Sequence, residues 1–214
     1  PLACSMATRI ALYAAGAEAK FTQVDLRAKR TADGADFFAV NPMGQVPALR
    51  LESGEAGDSG QAGDVVTENP VVLQYVADRF PEAGLTPRGG RERYRLQQWL
   101  NFIATELHKG VFMPLLIPNA PAGAKEFARA LLKLRLDTLD RHLQGRDFLL
   151  ERFSVADAYL VTVLNWSVAT AIDLGPWPAV RAYFGRMHKH PAVAKAFAEE
   201  RALYEEEQKR RAAA

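Results

Sequence analysis

One thiol, a proline opening a strand and an acid–amide pair at a helix start are the residues of this 214-residue chain best suited to chemistry. Cys4 is the only cysteine and stands in "PLACSMATRIALYAAG", just ahead of a helical run. A free cysteine is often a small buried hydrophobe. At a helix start, however, backbone N–H groups and the positive dipole end favour a thiolate and are expected to lower the thiol pKa. Ser5 can cap that helix or donate to sulfur. In "NPMGQVPAL", Pro47 follows Val46 at a strand entrance. An ordinary turn is one reading; a cis Val46–Pro47 bond is the other, turning the Val46 N–H and C=O toward an extended, peptide-like ligand. In "TEN", Glu68 and Asn69 begin a helix. The acid there can simply complement the dipole. It can also form a zwitterion clamp, with Glu68 on a ligand ammonium and the Asn69 N–H and side chain on its carboxylate.

A polar seam adds a histidine. Gln97, Asn101, Thr105 and His108 recur at helical spacing opposite a leucine stripe, either a solvated face or a set of ligand contacts. Ser154 with Asp157 reads as a capping box, a folding element without chemistry. One cysteine and four histidines show no metal-ligand spacing, so no metal is expected.

Composition narrows the setting. With 27 Lys+Arg against 25 Asp+Glu the formal charge is only +2, which gives no reason to expect nucleic acid or an anionic membrane as partner. A lone cysteine makes no internal disulfide, and no leader is visible, so a reducing cytoplasm is expected. The longest apolar run, within "SVADAYLVTVLNWSVATAIDL", is interrupted by Asp157, Asn165 and Ser167 and reads as a buried core helix.

The elements that must position these residues fall into two grammars. Residues 1–80 read as helix ("SMATRIALYAAG", stopped by Gly16), strand ("KFTQVDL"), short helix ("GADFFAVNP"), strands ("QVPALRL" and "DVVTE", joined by the loop "ESGEAGDSGQAG"), then helix ("TENPVVLQYVADRF"). After the linker "PEAGLTPRGG", residues 88–214 are all helical. Leu96, Leu100, Ile103 and Leu107 form one stripe, and Leu132, Leu136, Leu139 and Leu143 a second. The run from Phe153 to Ile172 is expected to be the central helix, and the last helix to end in a solvated charged tail.

Taken in register, "ACS", "VNPMGQVPAL", "TEN", "WLNFIATELHKG" and "FSVADAYL" resemble the bacterial beta-class glutathione transferases over essentially the whole chain. The resemblance implies an α/β thioredoxin-like N-terminal domain, an all-α C-terminal domain and a homodimer. It implies glutathione as co-substrate, conjugated to a hydrophobic electrophile, with detoxification as the role. Cys4 becomes the family's characteristic thiol, able to form a mixed disulfide with glutathione, and Val46 the backbone partner of the cysteinyl unit beside Pro47. Glu68 and Asn69 match the γ-glutamyl clamp, and Lys29 a basic residue near the glycine carboxylate. His108 matches a histidine near the sulfur, with Thr105 and Lys109 lining the same region. Asn101 matches a contact to glutathione across the dimer interface, and Trp166 an aromatic wall of the co-substrate pocket.

Three departures stand out. The family has a β-strand just before the cysteine segment, which is expected to be missing here because the sequence starts at Pro1. Leu2 stands where glycine is usual, and Asn69 where serine or glycine is. Two other activities stay open beside conjugation: a glutathione-dependent thiol–disulfide oxidoreductase working through Cys4, and a non-catalytic carrier of apolar ligands.

Overall fold

The computed structural model describes residues 1–51 and 63–212; the predicted loop "ESGEAGDSGQAG" lies mostly outside the described residues. Helix α1 (Met6–Ala14) buries Met6, Ala7, Ile10 and Ala11. It stops where sequence reading places the stop. Gly16 takes a left-handed φ of 68°, and the N–H groups of Gly16 and Ala17 return to the carbonyls of Tyr13 and Leu12.

The next segment departs from expectation. The strand read over "KFTQVDL" shrinks to β1 (Val24–Asp25), paired antiparallel with β2 (Arg30–Thr31). Asp25 cuts it short, because its Oδ1 accepts from the N–H groups of Arg27 and Ala28 and turns the chain. Phe21, expected on a strand face, packs instead under the Arg9 guanidinium at 3.9 Å. A single 3-10 turn, Phe37–Ala39, replaces the short helix. Strands β3 (Ala48–Arg50) and β4 (Val65–Thr67) pair antiparallel with Leu49 opposite Val66. Among the described residues, these two ladders do not join into one sheet. Helix α2 (Asn69–Arg79) follows, with Pro70 in its first turn, where no N–H is needed.

The second half is helical: α3 (Gly90–Asn101), a π-helical segment Phe102–Phe112, then α4 (Met113–Leu116), α5 (Ala122–Leu143), α6 (Val155–Leu164), α7 (Trp166–Ala169), α8 (Pro178–Met187) and α9 (Pro191–Ala212). Both leucine stripes face inward, Leu132 only partly. Every residue of α6 is buried, so this helix is the centre of the molecule. The run expected to continue to Ile172 breaks at Asn165 and ends with α7 at Ala169, two residues before Ala171 takes φ 53°. No helix among the described residues is long and apolar enough to cross a membrane.

The two halves share one core. Helix α1 packs against α2, α6 and α9, and its Arg9 meets two acids of α9. Arg9 lies 3.0 Å from Glu200 and 2.8 Å from Glu199, and Tyr13 donates to Glu199 as well. The charged end of α9 is therefore solvated only beyond this point, because Glu200 is buried.

The start of α6 is built around Asp157, which is fully buried. One carboxylate oxygen accepts from the Ser154 N–H and hydroxyl; the other accepts from the Leu149 N–H and the Tyr183 hydroxyl. The capping box is thus the anchor of the central helix. Asp157→Asn places an amide N–H₂ against donors and is expected to cost about 3 kcal/mol, the scale for a buried charged acceptor. Urea unfolding should show the midpoint fall. Burial raises this carboxyl from 3.8 to about 6. The folded protein therefore holds this proton more tightly than the unfolded chain does, and stability declines as pH rises from about 3.8 to about 6. That slope should vanish in the variant.

Candidate active site

Cys4 sits two residues before α1, at the junction of α1, α2 and the 40–47 loop. Its Sγ donates to the Val46 carbonyl at 3.0 Å, and the Val46–Pro47 bond is cis, as read from the sequence. The carbonyl expected to face a ligand is thus held by the thiol itself. Lys29, at φ 55°, braces the same loop by donating from Nζ to the Gly44 carbonyl at 2.8 Å.

The thiol is not acidic. Burial pushes Cys4 up to about 11 and outweighs the pull of Lys109 and of the Cys4 and Ser5 backbone N–H groups, while Glu68 adds to the rise. The expectation of a lowered thiol pKa is overturned, because desolvation at this packed junction exceeds the helix-start effect. Ser5 also corrects the reading. Its side chain makes no capping bond to α1, and it is its backbone N–H that favours the thiolate.

Glu68 is exposed and caps α2 from a left-handed backbone, φ 65°. Its carbonyl starts the helix by accepting from the Val71 and Val72 N–H groups, both at 2.9 Å. Asn69 differs from expectation. Its side chain is buried and turned into the protein, where Nδ2 donates to the Cys4 carbonyl at 2.8 Å and Oδ1 accepts from Thr8 at 3.4 Å. Only its backbone N–H stays in the first turn of α2 for a carboxylate.

His108 is likewise turned inward. An α-helix would keep it on the face of Asn101 and Thr105, but the π-helical segment brings residues five apart to one face, so His108 follows Ile103 into the interior. Gly110 permits the winding: a Cβ there would come within 2.9 Å of the Thr105 carbonyl oxygen. The seam therefore splits. Asn101 and Thr105 stay exposed, bonded to the carbonyls of Gln97 and Asn101. His108 Nδ1 instead meets the Tyr159 hydroxyl at 2.7 Å. Burial, with Lys109 beside it, lowers His108 to about 4, so the imidazole is neutral at pH 7.

Trp166 packs edge-on to His108, ring centroids 4.8 Å apart, and touches Phe112. Its indole N–H donates to the Leu2 carbonyl at 2.9 Å. Glu200 accepts the Leu2 N–H at 2.7 Å. The structure thus gathers Cys4, Ser5, Val46, Pro47, Asn69, His108 and Trp166, with Glu68 and Lys109 near enough to act on the thiol's charge. Lys29 joins that group only through the loop it braces, and Asn101 and Thr105 lie on the exposed face. Sequence reading missed Tyr159, Thr8 and Glu200. A hydroxyl in an all-buried helix needs a partner, and that alone singles out Tyr159. Among the described residues no cluster of His, Cys, Asp or Glu is arranged to hold a metal.

A thiol at a helix start, faced by the carbonyl before a cis-proline and roofed by a helical bundle, defines a thioredoxin-like thiol site joined to an all-α half. Family comparison says which kind. Residues 2–78 match the glutathione S-transferase N-terminal domain and residues 122–186 its C-terminal domain. The chain is 40% identical over 202 residues to glutathione S-transferase GstA of Escherichia coli O157:H7, covering 94% of this chain and 96% of that one. The structure resembles a sphingomonad glutathione S-transferase complexed with glutathione (TM-score 0.84, 42% identity) and the beta-class enzyme of Sphingomonas chungbukensis (0.85, 41%). Each comparison covers 94% of this chain and 96% of the other. The chain belongs to the glutathione S-transferase family and is a transferase of that class.

The raised thiol pKa has a direct readout. Alkylation of Cys4 by iodoacetamide is expected to be slow at pH 7 and to climb about tenfold per pH unit up to at least pH 9.5. A rate that levels off near neutral pH would show an activated thiolate instead. Lys109→Ala should slow it further, since that cation pulls the pKa down.

Proposed function

We propose that the chain conjugates the glutathione thiolate to apolar electrophiles, as a cytoplasmic homodimer, with detoxification of those electrophiles as its role. The observation that carries this reading is the protonated Cys4 thiol, donating a hydrogen bond beside the Cys4 and Ser5 backbone N–H groups. Donors gathered at one point suit a sulfur anion brought by a co-substrate better than a nucleophile supplied by the chain. The sphingomonad relative is complexed with glutathione, which supports the same ligand here.

In this reading Glu68 accepts from the γ-glutamyl ammonium, and the Asn69 N–H receives the carboxylate at the start of α2. The Val46 backbone pairs with the cysteinyl unit beside Pro47, exchanging the Cys4 thiol for the ligand. Lys29 approaches the glycine carboxylate. Neutral His108 supplies a hydrogen bond near the reacting sulfur without adding charge. The electrophile lies against the helical half, with Trp166, Thr105 and Lys109 lining its approach. Holding both reactants together removes the entropic cost of their encounter. Asn101 contacts glutathione across the homodimer interface in this reading, and its exposure on α3 supports that role.

Two variants separate the activities. His108→Ala is expected to lower conjugation of a generic aryl halide ten- to a hundred-fold or so, the range for one positioned acid–base or hydrogen-bonding group. Cys4→Ala should abolish reduction of glutathione mixed disulfides while conjugation falls much less. If Cys4→Ala destroyed conjugation and His108→Ala spared it, Cys4 would be the nucleophile and the oxidoreductase reading would replace this one. Absence of both activities in the unmodified protein would leave the carrier reading. Sedimentation at micromolar concentration should give a dimer, and a fully active monomer would remove Asn101 from the site.

A further inference from the structure

The Asn69 carboxamide is turned inward, away from any carboxylate, and its orientation is fixed by chemistry. The atom 2.8 Å from the Cys4 carbonyl must be the donor Nδ2, since a carbonyl only accepts. The opposite end, Oδ1, takes the Thr8 hydroxyl. The carboxamide also lies close enough to the Tyr159 hydroxyl to oppose the rise that burial imposes on its pKa. A phenol hydroxyl is a far better donor than acceptor beside a basic imidazole nitrogen, so across the 2.7 Å contact Tyr159 gives its proton to His108 Nδ1. An Nδ1 that accepts carries no hydrogen, so in the neutral imidazole the proton is on Nε2.

We infer that Tyr159 is a positioning residue for the thiol site: its hydroxyl fixes His108 in the tautomer protonated at Nε2, and Asn69 aims that hydroxyl. The chain of donors runs from α2 through α6 to the π-helical segment, and one of its members, Asn69, also grips the Cys4 carbonyl. His108 therefore faces the rest of the site with a fixed N–H donor. The same network sets the backbone that carries the thiol. This deepens the conjugation reading by naming what sets the state of His108, and it rests on that reading only for its kinetic arm.

Long-range nitrogen–proton NMR of uniformly labelled full-length protein at pH 7 tests it, with the His108→Ala spectrum identifying the resonance among four histidines. The unmodified protein should show His108 with Nδ1 unprotonated and Nε2 protonated; the opposite tautomer would overturn the inference. Tyr159→Phe keeps the ring and removes the hydroxyl, and should convert His108 to a mixture of tautomers. It should also lower kcat for aryl-halide conjugation about tenfold, with KM for glutathione within twofold. Asn69→Ser, which withdraws the carboxamide, should produce a smaller change of the same kind. An unchanged tautomer in a folded Tyr159→Phe protein would sink the role of Tyr159, and an unchanged one in Asn69→Ser that of Asn69. If Tyr159→Phe does not fold, the tautomer of the unmodified protein and the Asn69→Ser spectrum decide the matter. An inactive unmodified protein with the expected spectrum would refute conjugation and leave the positioning intact.

Discussion

The backbone of Leu2 is held at both ends by the helical half, and the site depends on that grip. Glu200 on α9 takes the N–H and Trp166 on α7 takes the C=O. Between them Leu2 adopts φ 57°, a conformation that a leucine does not favour. Two residues later the chain delivers Cys4 to the head of α1. Glu200 is itself fixed by Arg9 of α1, so the segment, the helix that it starts and the last helix form a closed loop of contacts. A buried ion pair broken on one side leaves an uncompensated charge, which makes this a costly set of contacts to open. Tertiary bonds here impose on a leucine the conformation that glycine would adopt freely.

With the segment fixed, desolvation governs the electrostatics. Burial raises the Cys4 thiol and lowers the His108 imidazole, so both are uncharged at neutral pH. Lys109 and Glu68 act on the thiol in opposite directions. What faces the sulfur position is therefore a set of oriented N–H and S–H dipoles rather than a fixed ion. Such donors need little rearrangement when a negative charge arrives, which is the property that a transferase handling a thiolate requires.

The π-helical segment and Asn69 show how little of a site's final geometry follows from spacing alone. His108 lies seven residues after Asn101, a spacing that puts two residues on one face of an α-helix. Over Phe102–Phe112 the wider winding sends them to different environments, one exposed and one buried. Asn69 occupies a position where a side chain at a helix start ordinarily meets solvent or ligand. The approach of the Cys4 carbonyl and Thr8 from α1 claims it instead.

By itself the sequence determined the division into a mixed first half and a helical second half, the two inward leucine stripes, the stop at Gly16 and the capping box under α6. It also pointed to Cys4, the Val46–Pro47 bond and the "TEN" helix start. These are local matters: apolar periodicity, turn chemistry and the preferences of helix ends act over a few residues, and the chain need not be folded for them to be read. The tertiary structure alone decided which way the side chains of Asn69 and His108 turn, that the thiol is weakly acidic, and that Tyr159, Thr8 and Glu200 belong to the site. Each of those depends on burial or on partners 50 to 200 residues away. Desolvation and long-range hydrogen bonds exist only once the core has closed.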